Sequence, residues 1–151
     1  YNTMYGVNTR IARIFNTYGP YMTFDDGRII PAIMKSIINN ETLSIFGDGT
    51  QTRCFCYVDD TVNGLIKLMD SSYTSPINIG NNYEITINEL IRISNQTLNC
   101  NISIMTAPLL ENDPKRRCPD LTLATSILDW SPTVSLQEGL EYTYNQFTDK
   151  K

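Results

Sequence analysis

Residues 13–28, RIFNTYGPYMTFDDGR, decide how this chain is read. Ile11 to Phe15 is a short, apolar, β-branched run of the kind covered on both faces of a parallel sheet, and Gly19-Pro20 ends it. Asn16 and Thr17 then stand just past the carboxyl end of a strand, where ligands bind in open α/β sheets. Taken as isolated residues they serve equally well as turn formers that satisfy local backbone groups.

Working outward, strands and helices alternate without repeats or low-complexity linkers, which predicts an α/β fold. Tyr1 to Gly6 reads as the end of a helix and Thr9 to Phe15 as a strand. A helix follows over Ile30 to Asn39, with Pro31 tolerated in its first turn. Leu43 to Phe46 and Thr52 to Val58 read as strands around the turn Gly47-Asp48-Gly49. Asp59 or Asp60 is expected to cap the next helix, whose apolar positions Val62, Leu65, Ile66 and Met69 recur at helical spacing. Pro76 to Gly80 is a short buried strand, and Thr86-x-x-Glu89 and Ser135-x-x-Glu138 are capping boxes opening two further helices. A strand near Ile102 to Met105 and a helix from Leu121 to Leu128 lie between them.

At 151 residues, 41% hydrophobic and 19% charged, the chain has the composition of one globular core. No run reaches the roughly 20 apolar residues of a membrane span. A formal charge of −4 argues against a nucleic-acid surface and leaves any anionic ligand to be met by local guanidinium groups. Cys54, Cys56, Cys100 and Cys118 have neither zinc-site nor disulfide spacing, and there is no histidine, so no metal is expected. Cys54 and Cys56 flank Phe55 in a strand-like run and read as small packed hydrophobes on one face; reducing, cytoplasmic surroundings are the expectation.

Three blocks, RIFNTYGPYMTFDDGR, FGDGTQTRCFCYVDD (46–60) and DPKRRCPD (113–120), occur in the order and spacing of the nucleotide-sugar branch of the extended short-chain dehydrogenases/reductases, the NAD-dependent epimerase/dehydratase family. The resemblance runs from Tyr1 to about Phe147 and is greatest to UDP-glucuronate decarboxylases, also called UDP-xylose synthases. It implies the C-terminal part of a Rossmann-type parallel sheet interleaved with the smaller substrate-binding domain. The dinucleotide fingerprint G-x-G-x-x-G and the Tyr-x-x-x-Lys acid-base pair do not occur in these 151 residues, so the chain is expected to be the C-terminal half of a longer enzyme whose N-terminal Rossmann half holds them.

The resemblance also implies residue roles. Arg53 matches an arginine on the substrate diphosphate, a task suited to a planar fork of donors; its plainer alternative is a surface pair with Asp59 or Asp60. Arg117, more than Lys115 or Arg116, matches a recurring arginine of a loop that Pro114 and Pro119 keep from helix or central strand. Arg28, in Asp26-Gly27-Arg28, matches an arginine near the cofactor and the sugar carboxylate, and Thr17 a position contacting NAD. Asn16 matches a position near the nicotinamide and sugar diphosphate, Asn78 one near the nucleotide, and Tyr1 a substrate contact. Phe46 is available to stack on a pyrimidine.

What the family implies is oxidation at C4 of the sugar, loss of carbon dioxide from the resulting β-keto acid, and return of the hydride, with NAD retained and the complete protein commonly a homodimer. Tyr21-Met22 stands where the decarboxylases carry Arg-Met and, with Pro31, is closer to the nucleotide-sugar 4,6-dehydratases. Epimerases of the same branch are a third enzyme alternative, and a sugar-nucleotide-binding remnant without catalysis is the alternative from another class.

Overall fold

The computed structural model describes residues 2–108 and 114–149. In chain order the elements are α1 (Asn2–Tyr5), β1 (Ala12–Ile14), β2 (Thr17–Tyr18), α2 (Ile29–Asn39), β3 (Leu43–Phe46), β4 (Thr52–Cys54), β5 (Cys56–Tyr57), α3 (Val58–Asp70), β6 (Ile77–Ile79), β7 (Glu84–Thr86), α4 (Ile87–Thr97), β8 (Ile104–Ala107), β9 (Arg116–Arg117), α5 (Thr122–Leu128) and α6 (Leu136–Thr148). Parallel pairing dominates: β1 with β6, β2 with β5, β3 with β8, and β4 with β9, while β4 also pairs antiparallel with β7. The α/β expectation holds.

The strand expected over Thr52 to Val58 breaks in the middle, and beyond the strand expected over Thr9 to Phe15 the residues read as a loop form a second short strand, β2; the two breaks meet. The run from Ala12 to Tyr18 follows β6 as far as Phe15, whose N–H donates to the Ile79 carbonyl at 2.9 Å, and then crosses to β5, where the Asn16 carbonyl accepts from the Cys56 N–H at 2.9 Å. The run from Thr52 likewise changes partners at Phe55, and Val58 already belongs to α3. The run from Ile11 to Phe15, expected to be covered on both faces, leaves Ile11 and Ile14 exposed; the change of neighbour is tertiary and leaves no mark in periodicity.

Burial divides the same way. Phe55 joins a core built from α2, β3, β7, α4 and α6, with Ile33, Met34 and Leu90 fully enclosed. Cys56 faces a second core with Ile77, Ile79 and Trp130. Alternation along one extended run therefore serves two hydrophobic layers. Both capping boxes form as expected, at Thr86 with Glu89 and at Ser135 with Glu138.

The expected cap by Asp59 or Asp60 does not form. Helix α3 starts at Val58 after Tyr57, without a side-chain cap, and both acids lie in its first turn, where negative charge suits the positive end of the helix dipole. Asp60 is buried and does something else: its carboxylate accepts from the Thr133 N–H (3.0 Å), the Thr133 hydroxyl (2.9 Å) and the Val134 N–H (2.9 Å). Its carbonyl takes the Trp130 indole N–H at 3.1 Å. Asp60 thus fastens the segment before α6 onto α3. Asp60→Ala strands those donors and is expected to cost about 3 kcal/mol, read as a lowered urea midpoint.

Candidate functional site

A cavity of about 470 Å³ opens between the end of β2, the start of α2, β3, β4 and β9. Arg28, Arg53 and Arg117 all line it, and among the described residues no aspartate or glutamate does. In a chain of net charge −4 this is a local concentration of positive charge.

Arg53 and Arg117 are direct partners in the parallel register of β4 and β9. Neighbouring strands lie about 4.8 Å apart, so two guanidinium side chains leave the same face of the sheet side by side. Segment 114–119, expected to remain a loop, instead contributes this two-residue strand at the sheet edge, the one place in a sheet where flanking prolines are accommodated. Strand alternation then separates the basic residues. Arg116 turns to the other face and grips Glu84 with three N–H···O contacts of 2.8 to 3.1 Å. Glu84 also accepts the Thr52 hydroxyl, and these partners hold its carboxyl down to about 2. Asp60, a suggested partner of Arg53, is committed to Thr133 and Val134. The Arg53 Nη1 donates to its neighbour's carbonyl, that of Thr52, at 2.8 Å.

Arg28 precedes α2 and provides no side-chain cap. Its Nε and Nη2 donate to Asp26 Oδ2 at 2.9 and 2.5 Å, and its Nη1 to the Thr17 carbonyl at 3.1 Å. A guanidinium carries five N–H donors, so one N–H remains on each terminal nitrogen. Asp26 also accepts the Arg28 backbone N–H at 2.9 Å, which fixes the Asp26-Gly27-Arg28 turn from both sides.

Asn16 bridges the break between β4 and β5: its Nδ2 donates to the Cys54 carbonyl at 3.3 Å, the backbone-satisfying part, while it lines the cavity. The Thr17 hydroxyl contacts the Phe15 carbonyl (2.9 Å) and the Thr61 hydroxyl (3.0 Å), so Thr17 reaches the site mainly through the carbonyl that holds Arg28. Asn78 is not among the cavity residues; its Nδ2 donates to the Asp120 carbonyl at 2.9 Å. Tyr1 lies outside the described residues. Sequence reasoning passed over Gln51, whose Nε2 donates to the Phe46 carbonyl at 2.7 Å and so holds the end of β3 against β4. The signal was its position two residues before Arg53, on the opposite end of the same strand face.

The turn at Gly47-Asp48-Gly49 is held rigidly. Both glycines have positive φ, 71° and 75°, and a Cβ on Gly49 would collide with the Asn88 side chain. Asn88 Nδ2 donates to the Asp48 carbonyl at 3.0 Å, which pins the turn to the start of α4.

Comparison with known proteins places these features. The family model described as GDP-mannose 4,6 dehydratase matches residues 1–143. The chain belongs to this family. UDP-glucuronic acid decarboxylase 5 of Arabidopsis thaliana is 44% identical over 147 residues, covering 97% of this chain and 43% of the relative. UDP-glucuronic acid decarboxylase 1 of Danio rerio is 42% identical over 143 residues, 95% of this chain and 34% of the relative. Among solved structures, a UDP-glucuronic acid 4-epimerase from Bacillus cereus, in complex with UDP-glucuronic acid and NAD, superposes with a TM-score of 0.91 at 29% identity, over 100% of this chain and 48% of that one. UDP-glucose 4-epimerase from Thermotoga maritima, with UDP-glucose, gives a TM-score of 0.93 at 28% identity over 99% and 48%. The chain thus spans less than half the length of these family relatives, and the expected extended short-chain dehydrogenase/reductase fold is borne out. No helix among the described residues is long and apolar enough to cross a membrane.

Two guanidinium groups in register on one face of a sheet suit the oxygens of a diphosphate. Inorganic pyrophosphate is therefore expected to bind this chain more tightly than orthophosphate in calorimetry, and Arg53→Ala or Arg117→Ala to weaken it by about tenfold or more, equivalent to ~1.4 kcal/mol.

Proposed function

We propose that this chain supplies the nucleotide-sugar half of an NAD-dependent enzyme that converts UDP-glucuronate to UDP-xylose through a 4-keto sugar. The observation that carries this reading is the cavity lined by three arginines and, among the described residues, by no acid, with two of the arginines in register on adjacent strands.

In this reading Arg53 and Arg117 take the diphosphate, and Phe46, at 41% exposure on the cavity wall, offers its ring to the uracil. The two remaining N–H groups of Arg28 form a bidentate contact to the uronate carboxylate and orient the ring for chemistry at C4. Because Arg28 already shares its charge with Asp26, it can position that carboxylate without stabilising it so strongly that loss of carbon dioxide is opposed. Asn16 completes the polar wall, and Asn78 belongs to the framework.

NAD, when bound, supplies reversible hydride transfer. The residues of this chain that fit beside it are Thr17 and Arg28, joined through the Thr17 carbonyl at the end of the strand run. The Gly-rich turn and the Tyr-x-x-x-Lys pair belong, in this proposal, to an N-terminal Rossmann half outside these residues, and the complete protein is a homodimer. The greater length of the relatives supports the first point. The cysteines, all free, support a cytoplasmic setting.

A nucleotide-sugar 4,6-dehydratase is the second reading, favoured by Tyr21-Met22 and by the dehydratase description of the matching family model. It needs no carboxylate contact, so Arg28 discriminates. The gene, expressed with the coding sequence that precedes Tyr1, is incubated with UDP-glucuronate and NAD⁺ and the sugar nucleotide weighed by mass spectrometry. Loss of carbon dioxide, reduced roughly 100-fold or more by Arg28→Ala, is the expected result. Loss of water from UDP- or dTDP-hexoses instead identifies a dehydratase, and no turnover of any of these leaves a binding role.

A further inference from the structure

We propose that Cys54 and Cys118 form a redox-reactive pair that closes into a disulfide between β4 and the residue following β9, a covalent modification site on the back of the arginine-bearing sheet. The two residues are remote in sequence, and their spacing alone suggests no pairing. The fold brings them together. The parallel register sets Thr52 against Arg116 and Arg53 against Arg117, and Cys54 and Cys118 are the next residues along the two chains. A neighbouring-strand distance of about 4.8 Å lies within the Cα separation that disulfides span, ~4.4–6.8 Å.

Side-chain interactions agree with the register. Burial, and after it the neighbouring Cys118 thiol, push the Cys54 thiol up to about 12. Glu84 is the register partner of Cys54 on its other side and holds Arg116, so Glu84, Cys54, Arg116 and Cys118 share one face of the three-stranded sheet. Cys54 is 2% exposed, whereas Cys118 is half-buried with its Sγ near the Asn82 carbonyl at 3.7 Å. Entry of an oxidant is therefore through Cys118.

With a low-molecular-weight disulfide such as oxidised glutathione, the Cys118 thiolate attacks one sulfur, the S–S bond breaks, and one glutathione thiol leaves. Cys54 then loses its proton and attacks Cys118 Sγ in the mixed disulfide, expelling the second glutathione thiol. Two protein thiols are oxidised to one disulfide, and one reagent disulfide is reduced to two thiols. The high proton affinity of Cys54 slows the second step near neutral pH, so moderately alkaline solution favours closure.

The test uses the 151-residue chain. It is oxidised with glutathione disulfide at pH 8.5, alkylated under denaturing conditions, digested and analysed by mass spectrometry. The expected outcome is two alkylated cysteines, Cys56 and Cys100, and a cross-linked peptide pair joining Cys54 to Cys118 within one chain, reversed by reductant. Cys118→Ser, at a half-buried position, is expected to fold and to leave all three remaining cysteines alkylatable. Four alkylatable cysteines, glutathione retained on Cys118, or a link through Cys100 or between two chains would overturn the proposal.

Discussion

The parallel pairing of β4 with β9 is the constraint on which the rest of the site depends. One register puts Arg53 beside Arg117 on the cavity face and, by alternation, Thr52, Glu84 and Arg116 on the other. A shift of one residue would send Arg117 to the back of the sheet and bring Arg116 to the front. The Glu84 clamp on Arg116 opposes that shift, because it holds the alternate residue on the far face by charge-assisted hydrogen bonds. A modest exposed ion pair thus specifies register more than it contributes to stability.

The second element of design is the crossing of the two broken runs at Asn16 and Phe55. Where β4 gives way to β5, a backbone carbonyl would lack a partner, and the Asn16 amide occupies it. The same crossing turns the Thr17 carbonyl toward Arg28, so the third arginine is oriented by the backbone of the strand end and by Asp26 together. Rigidity therefore comes from three directions: the glycine turn pinned by Asn88, the crossing at Asn16, and the Asp26-Gly27-Arg28 turn. Such a scaffold loses little conformational entropy when an anion binds.

What was legible in the sequence was what local chemistry decides. The two capping boxes and β3 from Leu43 to Phe46 stand where the pattern put them, and α2 begins one residue earlier than read, because each is determined by neighbours within a few residues. The arginines came from motif resemblance, and the structure gathers Arg28, Arg53 and Arg117 around one cavity while leaving Asn78 outside it. The partner changes at Phe15 and Phe55, the edge strand at Arg116–Arg117, the use of Asp60 as a clamp on Thr133 and Val134, and the juxtaposition of Cys54 with Cys118 were not legible. All of these depend on which segments meet across long sequence separations, and hydrophobic periodicity carries no information about that.

Whether the paired arginines of β4 and β9 form a diphosphate site is read from a crystal structure of the chain soaked with UDP. Diphosphate density is expected between the Arg53 and Arg117 guanidinium groups, with the base toward Phe46. Ordered UDP whose diphosphate lies away from both arginines would contradict it.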